Sequence, residues 1–274
     1  MLWRGIEIEP QWVLLSLLLI AIVVGRGRQF LTDWTPFLVL FLAYEVMRGF
    51  AGKTGFPHHD FSPLERLLFG GNLPSVFLQQ HLYHPSVISW YDWVALVLYF
   101  MHFPLPIAAG FLFWINDRSH YRRFVAALLL TCLLAFITYL FYPSTPPWLQ
   151  YPTFSDQLPA DCMTHIAGIH KITNETVCKW GVSYLISPIY KNLDPNAYAA
   201  FPSLHAAFPS LAAIYAWKRY RIASWFMLVW TVALWFSIVY LGEHYFVDAL
   251  AGLTYSLVAI AIVTWAAPRL AKPA

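Results

Sequence analysis

Apolar residues in this chain fall in long blocks rather than in one-sided stripes. The blocks lie at about 11–25, 34–50, 89–114, 122–141, 203–218, 223–241 and 246–266. Each approaches the length a helix needs to cross a ~30 Å hydrocarbon layer at ~1.5 Å per residue. The pattern predicts an all-α fold, a polytopic membrane helix bundle of about seven spans, organised as a single integral-membrane domain over 1–274. Two blocks are interrupted, by Pro104 and Pro106 in "YFMHFPLPIAAG" and by Glu45 and Arg48 in "AYEVMRGF". Such residues are tolerated where helices line a protein interior or a cavity. No small-residue cleavage site follows the first block, so it is expected to be a retained helix rather than a signal peptide. In the connection 51–88, "FSPLERLLFGG" predicts a short amphipathic helix. Phe61, Leu64, Leu67 and Leu68 gather on one side of it, with Glu65 and Arg66 off that side. "PSVFLQQHLYH" predicts another. The two helices are expected either to lie at the membrane interface and shape lipid entry, or to pack on the bundle.

Composition narrows the class. Of the 274 residues, 59% are hydrophobic and 11% charged, against roughly 25% charged in ordinary soluble domains. Thirteen tryptophans and sixteen tyrosines cluster near block ends, as in "PQWVLL" and "SWYDW", where interfacial aromatic belts belong. The segments "GRGRQFLTD", "NDRSHYRR", "KRYRI" and "PRLAKPA" hold ten of the seventeen Lys and Arg residues. With seven spans all four share one side, which the positive-inside rule makes cytoplasmic. The expectation is a multi-pass protein of the cell membrane, with the loops 51–88, 142–202 and 242–245 facing outward. Nothing in the pattern points to nucleic acid. Cys162 and Cys178 share an outward loop where an oxidising compartment would permit a disulfide, Cys132 sits mid-block, and Asn174 begins a glycosylation sequon.

Charge is scarce, so the polar residues of "LGEHYFVDALAG" (241–252) stand out. His244 and Asp248 are four apart and share a face if helical. An aspartate that accepts from one imidazole nitrogen leaves the other as base or nucleophile. Upstream, "AAFPSLHAAFP" puts Ser203 and His205 in the first turn of the next block, with Pro202 before them. Unpaired amides and the positive end of the dipole make such a turn an anion site. Two histidines beside it suit phosphoester transfer, one attacking phosphorus and the other protonating the leaving oxygen. Several readings compete: Ser203 as a mere cap, the histidines as interfacial packing, and a metal held by His205, His244 and Asp248 with "FPHHD" in reserve. A membrane transporter path through Glu45, Arg48 and the histidines is a further alternative, disfavoured because the polar groups gather near one face.

"FPSLH" and "HYFVD" resemble the second and third signature motifs of the type 2 phosphatidic acid phosphatase (PAP2) superfamily. With "YPSTPPW", their form looks closest to the branch containing the inositol phosphorylceramide synthase catalytic subunit, and the motif-bearing core covers about 120–266. The resemblance implies that His244 is a nucleophile forming a phosphohistidine, that Asp248 orients it, and that His205 is the general acid. Ser203 and the first-turn amides, Leu204 among them, would hold phosphate oxygens. It implies no metal and no cofactor. The substrate would be a membrane lipid phosphate or phospholipid, with water or a polyol as acceptor, and the active site would be extracytoplasmic. An inositol-phosphate transferase is the alternative within the same chemistry. The sequence also departs from the superfamily. Ile238 stands where an arginine precedes the nucleophile by six positions, and the Lys…Arg-Pro motif is missing. Lys53, Arg66 and Lys171, with Arg48 a further candidate, are the cations expected to take over phosphate binding.

Overall fold

The computed structural model describes residues 10–51, 54–84, 87–102, 104–150, 169–173, 198–217 and 219–270. Lys53, Cys162, Cys178 and Asn174 lie outside the described residues, as do the side chains of Glu45 and Arg48. Among the described residues the fold is all-α: α1 Pro10–Val23, α2 Gly27–Ala51, α3 Ser62–Leu68, α4 Pro74–Leu82, α5 Trp90–Met101, α6 Pro104–Asn116, α7 Arg118–Phe141, α8 Pro147–Gln150, α9 Leu204–Trp217, α10 Arg221–Tyr240 and α11 Phe246–Leu270. There is no strand among these residues, only two isolated parallel bridges, His59 to Ser144 and Ser144 to Ala199.

The expected count of about seven spans does not hold. Three described helices are long and apolar enough to cross a membrane, Arg118–Phe141, Arg221–Tyr240 and Phe246–Ala266. A fourth is possible in the pair α5 and α6, bent by 49° where they meet. The other blocks fail for separate reasons. α1 and α9 have 14 residues each, about 21 Å of helix against the ~30 Å required. α2 is longer, but Arg28 and Asp33 near its start and Glu45 and Arg48 near its end leave too short an apolar run between.

α9 explains why a block can be apolar without spanning. Ala206, Ala207, Phe208, Leu211, Ala212 and Ala216 are all buried, on every side of the helix. A helix that is hydrophobic all round belongs inside, and α9 packs against α6, α7, α10 and α11. Its alanines let those neighbours approach closely. α11 does the same from its side: a Cβ added at Gly252 would lie 2.2 Å from the Ser203 carbonyl oxygen, and Ser256 Oγ donates to the Ala207 carbonyl at 3.1 Å.

The two ends of the bundle differ in chemistry. At one end Asp117 caps α7, accepting the amides of Ser119 and His120 at 2.9 and 3.1 Å, and pairs with Arg219 at 3.0 Å. Asp33 of α2 accepts Arg118 Nε and Nη2, both at 2.7 Å, and Trp114 Nε1 at 2.8 Å. At the other end the loops interlock. His58 stacks on Tyr198, His59 on Tyr142 and Phe61 on Phe201, while Ser144 Oγ accepts the Phe201 amide at 2.7 Å. The two histidines of "FPHHD" are engaged in this packing, while its Asp60 accepts from Ser62 and from the Tyr245 hydroxyl.

Of the two arrangements expected for α3, the structure fits the one with its leucines turned outward. Ser62 and Glu65 are its buried residues, while Leu64, Leu67 and Leu68 are exposed. For a helix beside lipid the apolar side faces out, so one-sidedness in sequence does not say which side is inside.

Candidate active site

The site forms where the starts of α9 and α11 meet. Ser203, fully buried, is the residue before α9. Its Oγ accepts the Ala206 amide at 3.4 Å, and its own amide donates to the Asp248 carbonyl at 3.0 Å. The capping role is therefore real, and the hydroxyl proton is left to point elsewhere. Tyr139 of α7 fixes the preceding residue by donating to the Pro202 carbonyl at 2.6 Å. Leu204 N–H has no hydrogen-bond partner among the described residues, as expected for a first-turn amide.

The α11 side is a tight turn. Gly242 has φ +77° and faces the His170 carbonyl, which a Cβ would approach to 2.6 Å, so glycine is required twice over. The amides of Glu243 and His244 both converge on the Ile238 carbonyl, at 3.0 and 3.2 Å. Helix α11 begins at Phe246, so His244 lies just before it rather than on it. Asp248 reaches it from inside the helix: Asp248 Oδ2 accepts the Tyr245 amide at 2.9 Å and stands 3.4 Å from His244 Nδ1. The dyad is thus a helix-start motif, not a pair along a helical face.

The two motif histidines meet across the junction. His205 Nδ1 lies 3.0 Å from His244 Nε2. The carboxylate beside His244 Nδ1 favours a proton there, which leaves Nε2 with its lone pair and makes His205 Nδ1 the donor. His244 is 5% exposed and Asp248 fully buried.

Three contacts were not read from the sequence. Tyr99 stacks on His205 at 4.7 Å between centroids, and the His102 ring lies 4.0 Å from it. His102 Nδ1 meets the Tyr99 carbonyl at 2.5 Å, so it must be the donor. Glu65 Oε1 and Oε2 accept the amides of Phe246 and Val247 at 2.9 and 3.1 Å. Burial pushes the Glu65 carboxyl up from its ordinary value, against the pull of these two amides, and the nearby Asp248 charge adds to the rise. The break at "MHFP" was a signal for His102. Nothing marked Glu65 except that a glutamate is expensive beside lipid.

Two of the proposed cations fall among the described residues, and each has a partner of its own. Arg66 donates to the Gly71 carbonyl at 2.9 Å on the exposed face of α3, and Lys171 Nζ rests 4.0 Å above the Trp148 ring. Lys53 lies outside the described residues. Ile238, at the position of the missing arginine, is fully buried and packs with Leu98, Ala206, Leu234 and Ala249. Glu243, beside the nucleophile candidate in sequence, is buried too. Among the described residues, no group of three or more His, Cys, Asp or Glu side chains could hold a metal ion.

The family model of the PAP2 superfamily matches residues 65–262, more than half of the chain, beginning at Glu65 and ending within α11. No match was found among curated proteins or among solved structures.

Proposed function

The chain belongs to the PAP2 superfamily of phosphatases and phosphotransferases, and on that premise we propose that it acts on a membrane lipid phosphoester through a phosphohistidine at His244. The observation that carries this reading is the 3.0 Å approach of His205 Nδ1 to His244 Nε2, with Asp248 behind the second ring. In the first half-reaction the Nε2 lone pair attacks phosphorus. The bond from phosphorus to the leaving oxygen breaks, and protonated His205 gives that oxygen its proton. In the second, an incoming hydroxyl attacks the phosphohistidine, its proton passes to His205, and His244 is released. Asp248 balances the charge that develops on the His244 ring. Leu204 N–H, the Ser203 hydroxyl and the positive end of α9 receive the equatorial oxygens. Arg66, Lys171 and Lys53, with Arg48, are the cations proposed for the remaining phosphate charge.

Water as acceptor makes the protein a lipid phosphatase; an alcohol makes it a phosphotransferase, including the inositol-phosphate transferase type. Two observations favour transfer. His244 is 5% exposed, which limits free access of water. The "YPSTPPW" segment, the one that resembles the transferring branch, also touches both motif loops, through Ser144 to Phe201 and through the Trp148 amide to the Gly242 carbonyl at 3.1 Å. We place the site on the extracytoplasmic side, because the arginines at the opposite end of the bundle follow the positive-inside rule.

The deciding experiment incubates purified protein with phosphate-labelled phosphatidate, polyprenyl phosphate and phosphoinositide, with and without polyol or lipid alcohols. Release of orthophosphate identifies the phosphatase, and label moving to an added alcohol identifies the transferase. Turnover of none of these donors would overturn the proposal.

A further inference from the structure

Two helix N-termini meet at the site, and they are not equivalent. At α9 the Leu204 amide is open. At α11 every early amide is taken: Tyr245 N–H by Asp248, and Phe246 and Val247 N–H by the two oxygens of Glu65. Both ends are anion sites by construction, so a carboxylate from α3 already occupies the second one. The arrangement is costly. Glu65 is fully buried, no basic side chain among the described residues is ion-paired with it, and it faces the same helix end as Asp248. Capping alone needs no such charge, since a serine or asparagine from the helix's own chain serves.

We propose that Glu65 is a positioning residue for the nucleophile. By filling the anion site of α11, it holds the His244–Asp248 turn in one pose and leaves a substrate phosphate only the α9 end, which the His244 lone pair faces across His205. This rests on the reading of His244 as nucleophile.

The test uses the full-length protein in detergent or nanodiscs, with Glu65→Gln and Glu65→Ala beside His244→Ala. Glu65→Gln keeps one carbonyl acceptor and the shape, but not the charge. Its kcat is expected to fall at least tenfold, with KM for the phosphoester changing less than threefold and the thermal midpoint close to wild type. Glu65→Ala opens the α11 amides, so it is expected to bind orthophosphate several-fold more tightly, measured as product inhibition or by calorimetry, while turning over still more slowly. Wild-type kcat in Glu65→Gln would overturn the inference. So would loss of activity that merely tracks the unfolded fraction, or unchanged orthophosphate affinity in folded Glu65→Ala. Retained activity in His244→Ala would instead overturn the reading beneath it, which keeps the two failures distinct.

Discussion

At the scale of single residues, the chemistry rests on which nitrogen carries a proton. If His244 attacks through Nε2, His244→Ala abolishes turnover while the bundle still folds, because the Ser203 amide to Asp248 carbonyl and Ser256 to Ala207 hydrogen bonds still join the two helices. Asp248→Asn keeps the shape and one acceptor but removes the charge that stabilises the imidazolium and fixes the tautomer. A fall of about 10²–10⁴-fold in kcat is expected. Single-turnover labelling of the protein measures both. A His244→Ala enzyme with wild-type rate would sink the mechanism. At this scale the sequence was most informative where local spacing does the work. His244 and Asp248 sit within one turn, so their encounter needed no tertiary knowledge. His102 and Glu65 arrive from distant segments, and nothing in their own neighbourhoods names the residues they touch.

At the scale of elements, α9 and α11 are held together by what they lack. Gly252 has no Cβ, and the Ser203 carbonyl stands 2.2 Å from where one would be. Backbone cannot swing aside as a flexible side chain can, so Gly252→Ala must push the helices apart. Overpacking of this kind typically costs ~1–3 kcal/mol. The expected result is a lowered thermal midpoint together with a disproportionate loss of kcat, since the shift separates His205 from His244. Equal activity in Gly252→Ala would show that the close approach is not needed for turnover. The same scale explains why the orientation of α3 stayed open in the sequence. Periodicity marked α3 as amphipathic, correctly, but hydrophobicity cannot tell lipid from protein interior. In a membrane protein the polar side can be the buried one, and at Glu65 it is.

At the scale of the whole molecule, the blocks of apolar sequence were legible and their meaning was not. Helices appeared in all seven, yet shortness accounts for α1, burial by neighbours for α9 and charge for α2, leaving three long apolar spans and one bent pair among the described residues. The end opposite the site is tied by Asp33, whose carboxyl is held below its ordinary value. Burial alone would raise it, but Arg118 and Trp114 outweigh burial through direct hydrogen bonds, with the charges of Arg118 and Arg122 adding to them. A depressed carboxylate contributes stability that is present above the unfolded value of ~4 and lost as pH falls through the lower folded one. Wild type should therefore unfold at higher temperature than Asp33→Asn at neutral pH, with the gap closing below about pH 4. A gap independent of pH, read by thermal unfolding in detergent, would mean the arginines gain nothing from that charge. At the site end, one of the ties between α9 and the start of α11 runs through the two histidine rings, and this has a consequence for recognition. That side-chain contact across the junction is the one a substrate must open. A hydrogen bond of this kind is worth ~0.5–1.5 kcal/mol net, so every ligand begins up to about tenfold behind. A charged phosphoester, drawn by the open amide of α9, recovers that handicap on arrival. A neutral molecule does not, and it meets the nucleophile with that handicap uncorrected.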